Sequence, residues 1–239
     1  MGYLVLIRHG QARSFEKDGD LLSPLGEEQA RALAEFWIRQ GVNFDEVYSG
    51  TLVRQRRTAE IAGECFVQSG LDWPQLQTTT ELNEYDSIGI INNLIPSLAG
   101  RDAAFRALAE AFERNRDTPE RNRHFQKMFE AVTSVWLGGE FEVEGVESWR
   151  SFQSRVRAAI KRIISAEGRG RRVAVFTSGG VIGLTVQNVL NAPERLALEI
   201  NWRVRNCSMT EFTFSRDRIS LDSFNTIPHL DDPELRTYR

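Results

Sequence analysis

Two short apolar runs constrain the fold more than any other feature of the chain. Residues 3–7 and 172–177 are rich in branched side chains. Such continuous runs are typical of strands buried on both faces of a parallel sheet rather than of amphipathic helices. Ligands of open α/β sheets gather at the carboxyl ends of the strands, so Arg8, His9 and Gly10, which end the first run, mark a candidate site. A loop with a basic tip is the alternative interpretation.

Length and charge exclude several classes of protein. The chain has 239 residues and a formal net charge of −3, so it is long enough for one large α/β domain or one domain with an inserted subdomain. Acids and bases are nearly balanced, which argues against a nucleic-acid or membrane-surface partner. Cys65 and Cys207 lack metal-site spacing. Since neither a signal peptide nor a membrane-spanning run is recognisable, we expect a cytoplasmic protein.

Periodicity and turn residues predict alternating helices and strands. Ser23 and Pro24 resemble an N-cap and first helical position. Predicted helices cover residues 23–41, 52–69, 102–116, 118–138, 147–167 and 181–190, and predicted strands cover residues 3–7, 46–48, 77–80, 172–177, 208–214 and 218–224. Residues 11–20, 86–100 and 140–147 are predicted to be loops. We expect one domain, 1–239, with a helical insertion at about 86–145 that caps the sheet.

Further candidate residues lie at strand and helix ends. Arg54, Arg56 and Arg57 fall near the amino end of a predicted helix, where the helix dipole disfavours cations unless an anion is nearby. For Arg56 we prefer the interpretation of a solvated side chain. Glu81 and Glu84 follow the third predicted strand, and Ser178, Gly179 and Gly180 follow the strand at 172–177. Arg13 is expected to face the pocket.

Taken together, these stretches resemble the histidine phosphatase superfamily, also called the phosphoglycerate mutase-like family. The matching stretches are residues 6–12, 22–30, 48–60, 82–84 and 175–182, which agree in order and spacing and span most of the chain except the insertion. The resemblance implies a three-layer α/β/α sandwich on a mostly parallel sheet.

The resemblance also implies roles for individual residues. His9 corresponds to the histidine that takes up the phosphoryl group, which suits an imidazole that is neutral near pH 7. Arg8 and Arg54 correspond to a guanidinium clamp on the phosphoryl oxygens. Glu84 corresponds to the general acid and base, with Glu81 as the competing candidate.

One position departs from the family pattern, because Ser178 stands where a second histidine is usual. The Ser178 hydroxyl and the Gly179 amide at a helix start could still bind a phosphoryl oxygen, but without positive charge. Losing one cationic donor is worth about 2–4 kcal/mol by analogy with an oxyanion donor. His124 and His229 are the remaining histidines, and both are interpreted as structural. A Ser178 nucleophile has little support, since no nucleophile elbow is present.

These observations predict a metal-independent phosphomonoesterase without a cofactor. Its expected ligand is a small phosphorylated metabolite or inorganic phosphate. Phosphoglycerate mutase-type transfer and a catalytically silent phosphate-binding protein are the alternatives, and Ser178 favours the second of them. Ser178→His is expected to raise activity if the pocket is otherwise intact. The oligomeric state is open, a homodimer included.

Overall fold

Two buried strands form the centre of a single sheet. The computed structural model describes residues 1–13, 18–139, 143–216 and 218–238. The strands of these ranges are β1 (Gly2–Arg8), β2 (Glu46–Ser49), β3 (Leu76–Thr78), β4 (Arg172–Thr177), β5 (Met209–Ser215) and β6 (Arg218–Thr226). Their order in the sheet is β3-β2-β4-β1-β5-β6. The strands from β3 to β1 pair in parallel, whereas β5 and β6 are antiparallel. The predicted α/β fold on a mostly parallel sheet is confirmed.

Helices connect the strands and continue the predicted alternation. They are α1 (Pro24–Arg39), α2 (Val53–Gln68), α3 (Ser87–Gly89), α4 (Ile95–Arg101), α5 (Ala103–Arg114), α6 (Arg121–Gly138), α7 (Trp149–Ser165), α8 (Gly179–Val189) and α9 (Arg195–Asn201). A π-helical turn, Ile90–Leu94, joins α3 to α4, and 3₁₀ turns lie at Thr80–Leu82 and Pro233–Leu235. No helix in the described ranges is both long and apolar enough to cross a bilayer.

The start of α1 shows how local sequence sets an element. The Ser23 side chain accepts a hydrogen bond of 3.0 Å from the Gly26 amide, and Pro24 begins the helix. Gly41, whose φ of +63° favours glycine, follows the end of the helix. The inner face of α1 packs with α2 against β1 and β4 through a fully apolar cluster that includes Trp37, Phe66 and Phe176.

Two predictions of secondary structure were wrong. Residues 86–100 were expected to be a loop but form α3, the π turn and most of α4. Asp86 accepts a hydrogen bond of 2.8 Å from the Gly89 amide, and the π turn then changes the helical period, so the apolar residues do not mark one continuous face. Helix α9 was missed because it has only seven residues. The predicted loops at 11–20 and 140–147 lie partly outside the described residues.

The chain divides into two compact units. The first comprises Met1–Glu84 and Arg155–Arg239, and the second comprises Tyr85–Ser154. The second unit is held by aromatic packing, in which the Tyr85 and Trp136 ring centroids are 5.1 Å apart and those of Trp136 and Trp149 are 5.2 Å apart. Helix α5 of this unit has no fully buried residue. The expected single domain with a capping insertion remains a prediction.

Candidate active site

The carboxyl ends of β1 and β4 lie side by side. Arg8 pairs with Thr177 in the parallel register, and the His9 amide donates a hydrogen bond of 2.9 Å to the Thr177 carbonyl. From a following loop, the Asn206 side chain donates to the His9 carbonyl at 3.1 Å. His9 and Ser178, the next residues along the two strands, therefore belong to one region at this edge of the sheet, as expected.

The His9 imidazole is held in one tautomer. The ring is 6% exposed, and its Nδ1 lies 2.7 Å from the Gly10 carbonyl oxygen. Because a carbonyl can only accept, Nδ1 carries the hydrogen and Nε2 carries the lone pair. Nε2 in turn accepts a hydrogen bond of 3.1 Å from Arg54 Nε. Burial, reinforced by the Arg54 and Arg8 charges, lowers the pKa of His9 well below its usual value.

Gly10 allows the loop after β1 to pack closely against the start of α1. A Cβ there would lie 2.3 Å from the Gly26 carbonyl oxygen, so the close approach is to the start of α1. The Gly10 amide donates to Thr58 Oγ1 at 3.1 Å, and this hydroxyl donates to the Arg54 carbonyl at 2.7 Å. Thr58 thus ties the loop after β1 to the helix that carries Arg54.

Arg54 links the histidine to a carboxylate that the sequence did not indicate. Its Nη1 donates to Asp20 Oδ1 at 2.6 Å, and the other Asp20 oxygen accepts from the Val53 amide at 2.8 Å. The N-cap residue of α2, Leu52, has no side-chain group for capping, and Asp20, between β1 and α1, caps the helix instead. An anion therefore does lie beside Arg54, but it is part of the chain.

Arg8 is half-buried and also contacts carbonyl groups. Its Nη1 donates to the Val204 carbonyl and, at 2.7 Å, to the Tyr238 carbonyl. Its positive charge contributes to lowering the pKa of His9, after burial and the charge of Arg54. Arg8 also anchors the segment that contains Tyr238.

The two candidate carboxylates have different surroundings. Glu84 Oε2 accepts a hydrogen bond of 3.1 Å from the Gly180 amide, in the first turn of α8. Glu81 is bonded to Arg162, which holds the pKa of the Glu81 carboxyl below its usual value. From α7, Arg155 donates to the Asn83 carbonyl at 2.8 Å and to the Glu84 carbonyl at 3.1 Å. Of the two carboxylates, Glu84 lies at the strand-end region with Ser178.

Ser178 and Gly179 are both buried. The Ser178 side chain is 0% exposed and does not cap α8; instead its Oγ accepts a hydrogen bond of 2.8 Å from Gln55 Nε2. A Cβ on Gly179 would lie 2.3 Å from Asn201 Oδ1, so this glycine lets the end of α9 approach α8. Binding of a phosphoryl oxygen by Ser178 or Gly179 remains a prediction.

Other predicted residues take structural positions. Arg13 Nε donates to the Leu22 carbonyl at 3.3 Å. His229 is buried near Phe36 of α1, with ring centroids 6.1 Å apart, and burial lowers its pKa to about 4. His124 lies on α6, in the second unit. Over the described ranges, no group of three His, Cys, Asp or Glu side chains could hold a metal ion.

Sequence reasoning missed several residues around His9 and Glu84. They are Asp20, Gln55, Thr58, Arg155 and Asn206, each of which donates to or accepts from a candidate residue or its backbone. Each of these contacts joins residues at least 34 positions apart, so no local pattern in the sequence could indicate it.

Comparison with known protein families shows which family this chain belongs to. A family model described as histidine phosphatase superfamily (branch 1) matches residues 4–87 and 113–227. The chain belongs to the histidine phosphatase superfamily. The unmatched stretch between these ranges falls within the second unit, so the superfamily match includes all the candidate site residues.

Known members of the superfamily resemble this chain in part of the sequence and in the fold. A 2,3-bisphosphoglycerate-dependent phosphoglycerate mutase from Thermobifida fusca is 37% identical over 91 residues, which is 35% of this chain and 35% of that protein. The match thus spans about a third of the curated relative.

Two solved structures of the superfamily cover nearly the whole chain. YhfR from Bacillus stearothermophilus is 16% identical, with a TM-score of 0.66 over 97% of this chain and 100% of that one. A mycobacterial glucosyl-3-phosphoglycerate phosphatase in complex with inorganic phosphate is 22% identical, with a TM-score of 0.59 over 96% and 99%. These likenesses show a shared fold.

Proposed function

We propose that the chain is a phosphomonoesterase that works through a phosphohistidine at His9. The observation that carries this proposal is the orientation of the imidazole: Nδ1 is bonded to the Gly10 carbonyl, and the Nε2 lone pair lies beside a guanidinium. Because the pKa of His9 is well below its usual value, the ring is neutral and nucleophilic near pH 7.

In the first step, His9 Nε2 attacks phosphorus while the bond from phosphorus to the leaving oxygen breaks. The Arg54 guanidinium gives up its hydrogen bonds to His9 Nε2 and to the Asp20 carboxylate and donates to the phosphoryl oxygens instead. The Arg8 guanidinium adds a second positive charge. Glu84, in its acid form, gives a proton to the leaving oxygen, so the product departs as an alcohol.

In the second step, water attacks the phosphorus of phospho-His9. Glu84, now a carboxylate, takes the proton of the attacking water, and the bond between phosphorus and Nε2 breaks to release inorganic phosphate. The hydrogen bond from the Gly180 amide supports the Glu84 carboxylate at the start of α8, where the helix dipole also favours negative charge.

The substrate class follows from the charge of the site. The Arg8 and Arg54 guanidiniums and the α8 amino end suit a dianionic phosphate group, and a solved relative is complexed with inorganic phosphate. We assign a small phosphorylated metabolite as the substrate.

Specific observations favour two other functions. The identity to a phosphoglycerate mutase over 91 residues favours phosphoryl transfer between positions of one metabolite. The neutral, fully buried Ser178, which cannot bring a positive charge to the transition state, favours a phosphate-binding protein without turnover.

Trapping of the covalent intermediate tests the proposal. The chain is mixed with a radiolabelled phosphate monoester, quenched in alkali, and assayed for acid-labile phosphate on histidine, while p-nitrophenyl phosphate reports turnover. His9→Ala is expected to lose both the label and at least about a thousandfold in kcat. His124→Asn, on α6 of the second unit, is the matched control.

The alternatives give different results in the same assay. Phosphate binding without label or turnover overturns the phosphatase and supports the silent binding protein. Label that passes to a phosphoglycerate faster than to water supports the mutase. Turnover that survives in His9→Ala rules out the phosphohistidine route.

A further inference from the structure

Gln55, the residue after Arg54, is fully buried and makes two contacts through one nitrogen. Its Nε2 donates to Ser178 Oγ at 2.8 Å and to the Leu82 carbonyl at 3.2 Å. Because the Leu82 carbonyl can only accept, the nitrogen end of the amide must face it. Ser178 Oγ is therefore an acceptor in this contact.

Packing alone does not favour a glutamine at this position. Its Oε1 is buried and has no hydrogen-bond partner among the described residues. The backbone of Gly50 packs against this oxygen so closely that a Cβ there would lie 1.9 Å from it. A buried polar atom without a partner is costly, so an apolar side chain of similar shape would fit this space better. The feature that glutamine has and an apolar side chain lacks is its pair of amide hydrogens.

Those hydrogens join three segments of the candidate site. Gln55 follows Arg54 on α2, Leu82 lies two residues before Glu84, and Ser178 precedes the α8 turn whose amide donates to Glu84. Thr177 Oγ1 reinforces the same connection by donating to the Leu82 carbonyl at 2.7 Å. The Gln55 amide is thus bonded to both segments that meet at the Glu84 carboxylate.

We infer that Gln55 is a positioning residue for phosphoryl transfer, and that it sets the placement of the Glu84 carboxylate relative to α2 through uncharged hydrogen bonds. The inference rests on the proposed function. Small displacements at a reacting centre are expensive, since a 1 Å misplacement can cost about a hundredfold in rate. Gln55 touches neither His9 nor Arg54 through a hydrogen bond among the described contacts, so its effect is on geometry.

Gln55→Met tests the inference because methionine keeps the length of the side chain and removes both amide hydrogens. We expect kcat for p-nitrophenyl phosphate to fall about 10- to 100-fold while KM changes less than about threefold, since the phosphate ligands stay in place. Gln68→Met, at the exposed end of the same helix, is the matched control and should leave kcat unchanged.

A mutant cycle with Ser178→Ala separates positioning from general loss of structure. If the two residues act through their hydrogen bond, Gln55→Met combined with Ser178→Ala should lose no more kcat than the larger single loss. Thermal unfolding of each variant shows whether kcat simply follows stability.

The outcomes distinguish this inference from the proposed function. Wild-type chain without turnover or phosphohistidine overturns the proposed function itself. Wild-type turnover together with a Gln55→Met kcat within threefold, additive losses in the cycle, or a loss fully matched by the fall in Tm overturns the role of Gln55 alone. A lower kcat with an unchanged KM and a non-additive cycle supports it.

Discussion

The carboxyl ends of β1 and β4 are neighbours in the sheet and yet differ in character. At the end of β1, Arg8 and His9 provide a charge and a titratable ring, and Arg54 donates a hydrogen bond to that ring. At the end of β4, the Thr177 and Ser178 hydroxyls are fully buried and hydrogen-bonded to the Leu82 carbonyl and the Gln55 amide. The strands themselves are equally apolar and buried.

The difference separates two tasks at one edge of the sheet. In the proposed function, the β1 end has the groups that react with and bind a phosphoryl group, whereas the β4 end holds the segment that leads to Glu84. The first task needs charge and a lone pair, and the second needs only well-placed neutral hydrogen bonds. Substitutions at the two ends should therefore change different measured quantities.

The largest expected effect is at the β1 end, from Arg54→Gln. Removing this guanidinium from the phosphoryl oxygens should lower kcat/KM about 100- to 1,000-fold, or about 3–4 kcal/mol. Arg56→Gln, an exposed arginine two residues along α2, should change it less than about twofold because exposed charges contribute little. Steady-state kinetics on p-nitrophenyl phosphate measure kcat/KM of both variants. Equal losses in the two variants would mean that Arg54 contributes only through its positive charge and not through contact with the phosphoryl oxygens.

Acid sensitivity is the next effect, and of the two strand ends only the β1 end should contribute to it, because Ser178 and Thr177 do not titrate. The pKa of His9 is lowered in the folded chain, and burial lowers that of His229 to about 4. Below about pH 6.5 both histidines become protonated in the unfolded chain but stay neutral in the folded chain. The free energy of unfolding therefore decreases as the pH falls, by about 1.4 kcal/mol per pH unit for each histidine. For His229 the loss ends near pH 4 and totals about 3 kcal/mol.

Urea unfolding between pH 4 and 8 measures this dependence. His9→Asn and His229→Asn should each flatten the fall in the free energy of unfolding below pH 6.5, and His124→Asn is the control. An unchanged slope in His9→Asn would show that the His9 ring is not held neutral by burial and the arginines.

The contrast between the strand ends could be read only partly from the sequence. Strands β1 and β4 were predictable because residues 3–7 and 173–176 are continuously apolar, and α1 because Ser23 and Pro24 are typical of a helix start. The π turn disturbed the period after Asp86, and α9 was too short to show one. The neutral hydrogen bonds at the end of β4 could not be predicted from the sequence, because Gln55 and Ser178 are 123 residues apart and meet only in the folded chain.

A smaller effect is expected at the β4 end, from Ser178→His. The sequence predicts a gain of activity if the pocket is otherwise intact, but the Gln55 amide lies 2.8 Å from the Ser178 oxygen, where an imidazole would need space. Overpacking of a buried site costs about 1–3 kcal/mol, so the single variant should lose that stability and should not gain activity. Gln55→Ala combined with Ser178→His makes room for the ring and should recover part of the stability. Chemical unfolding measures both, and a stable, more active single variant would contradict the contrast.

The smallest expected effect comes from removing the negative charge of Asp20, the counterion of Arg54 at the β1 end. Asp20 is bonded to Arg54 and also caps α2 through the Val53 amide. Asp20→Asn keeps an oxygen for the cap and removes the charge that competes with an anionic ligand. The Asp20 side chain is 38% exposed, so the ion pair is weak, and inorganic phosphate should bind only about two- to fivefold more tightly, which is below about 1 kcal/mol.

Titration calorimetry with inorganic phosphate measures this change, and Asp18→Asn, in the same turn but exposed, controls for the loss of one negative charge. Added salt should reduce the gain in Asp20→Asn, because screening already weakens the competing ion pair. Equal gains in both variants would show a general effect of net charge. A gain limited to Asp20→Asn would mean that phosphate competes with the Asp20 carboxylate for Arg54 at the β1 end, a competition that the uncharged hydroxyls of the β4 end do not have.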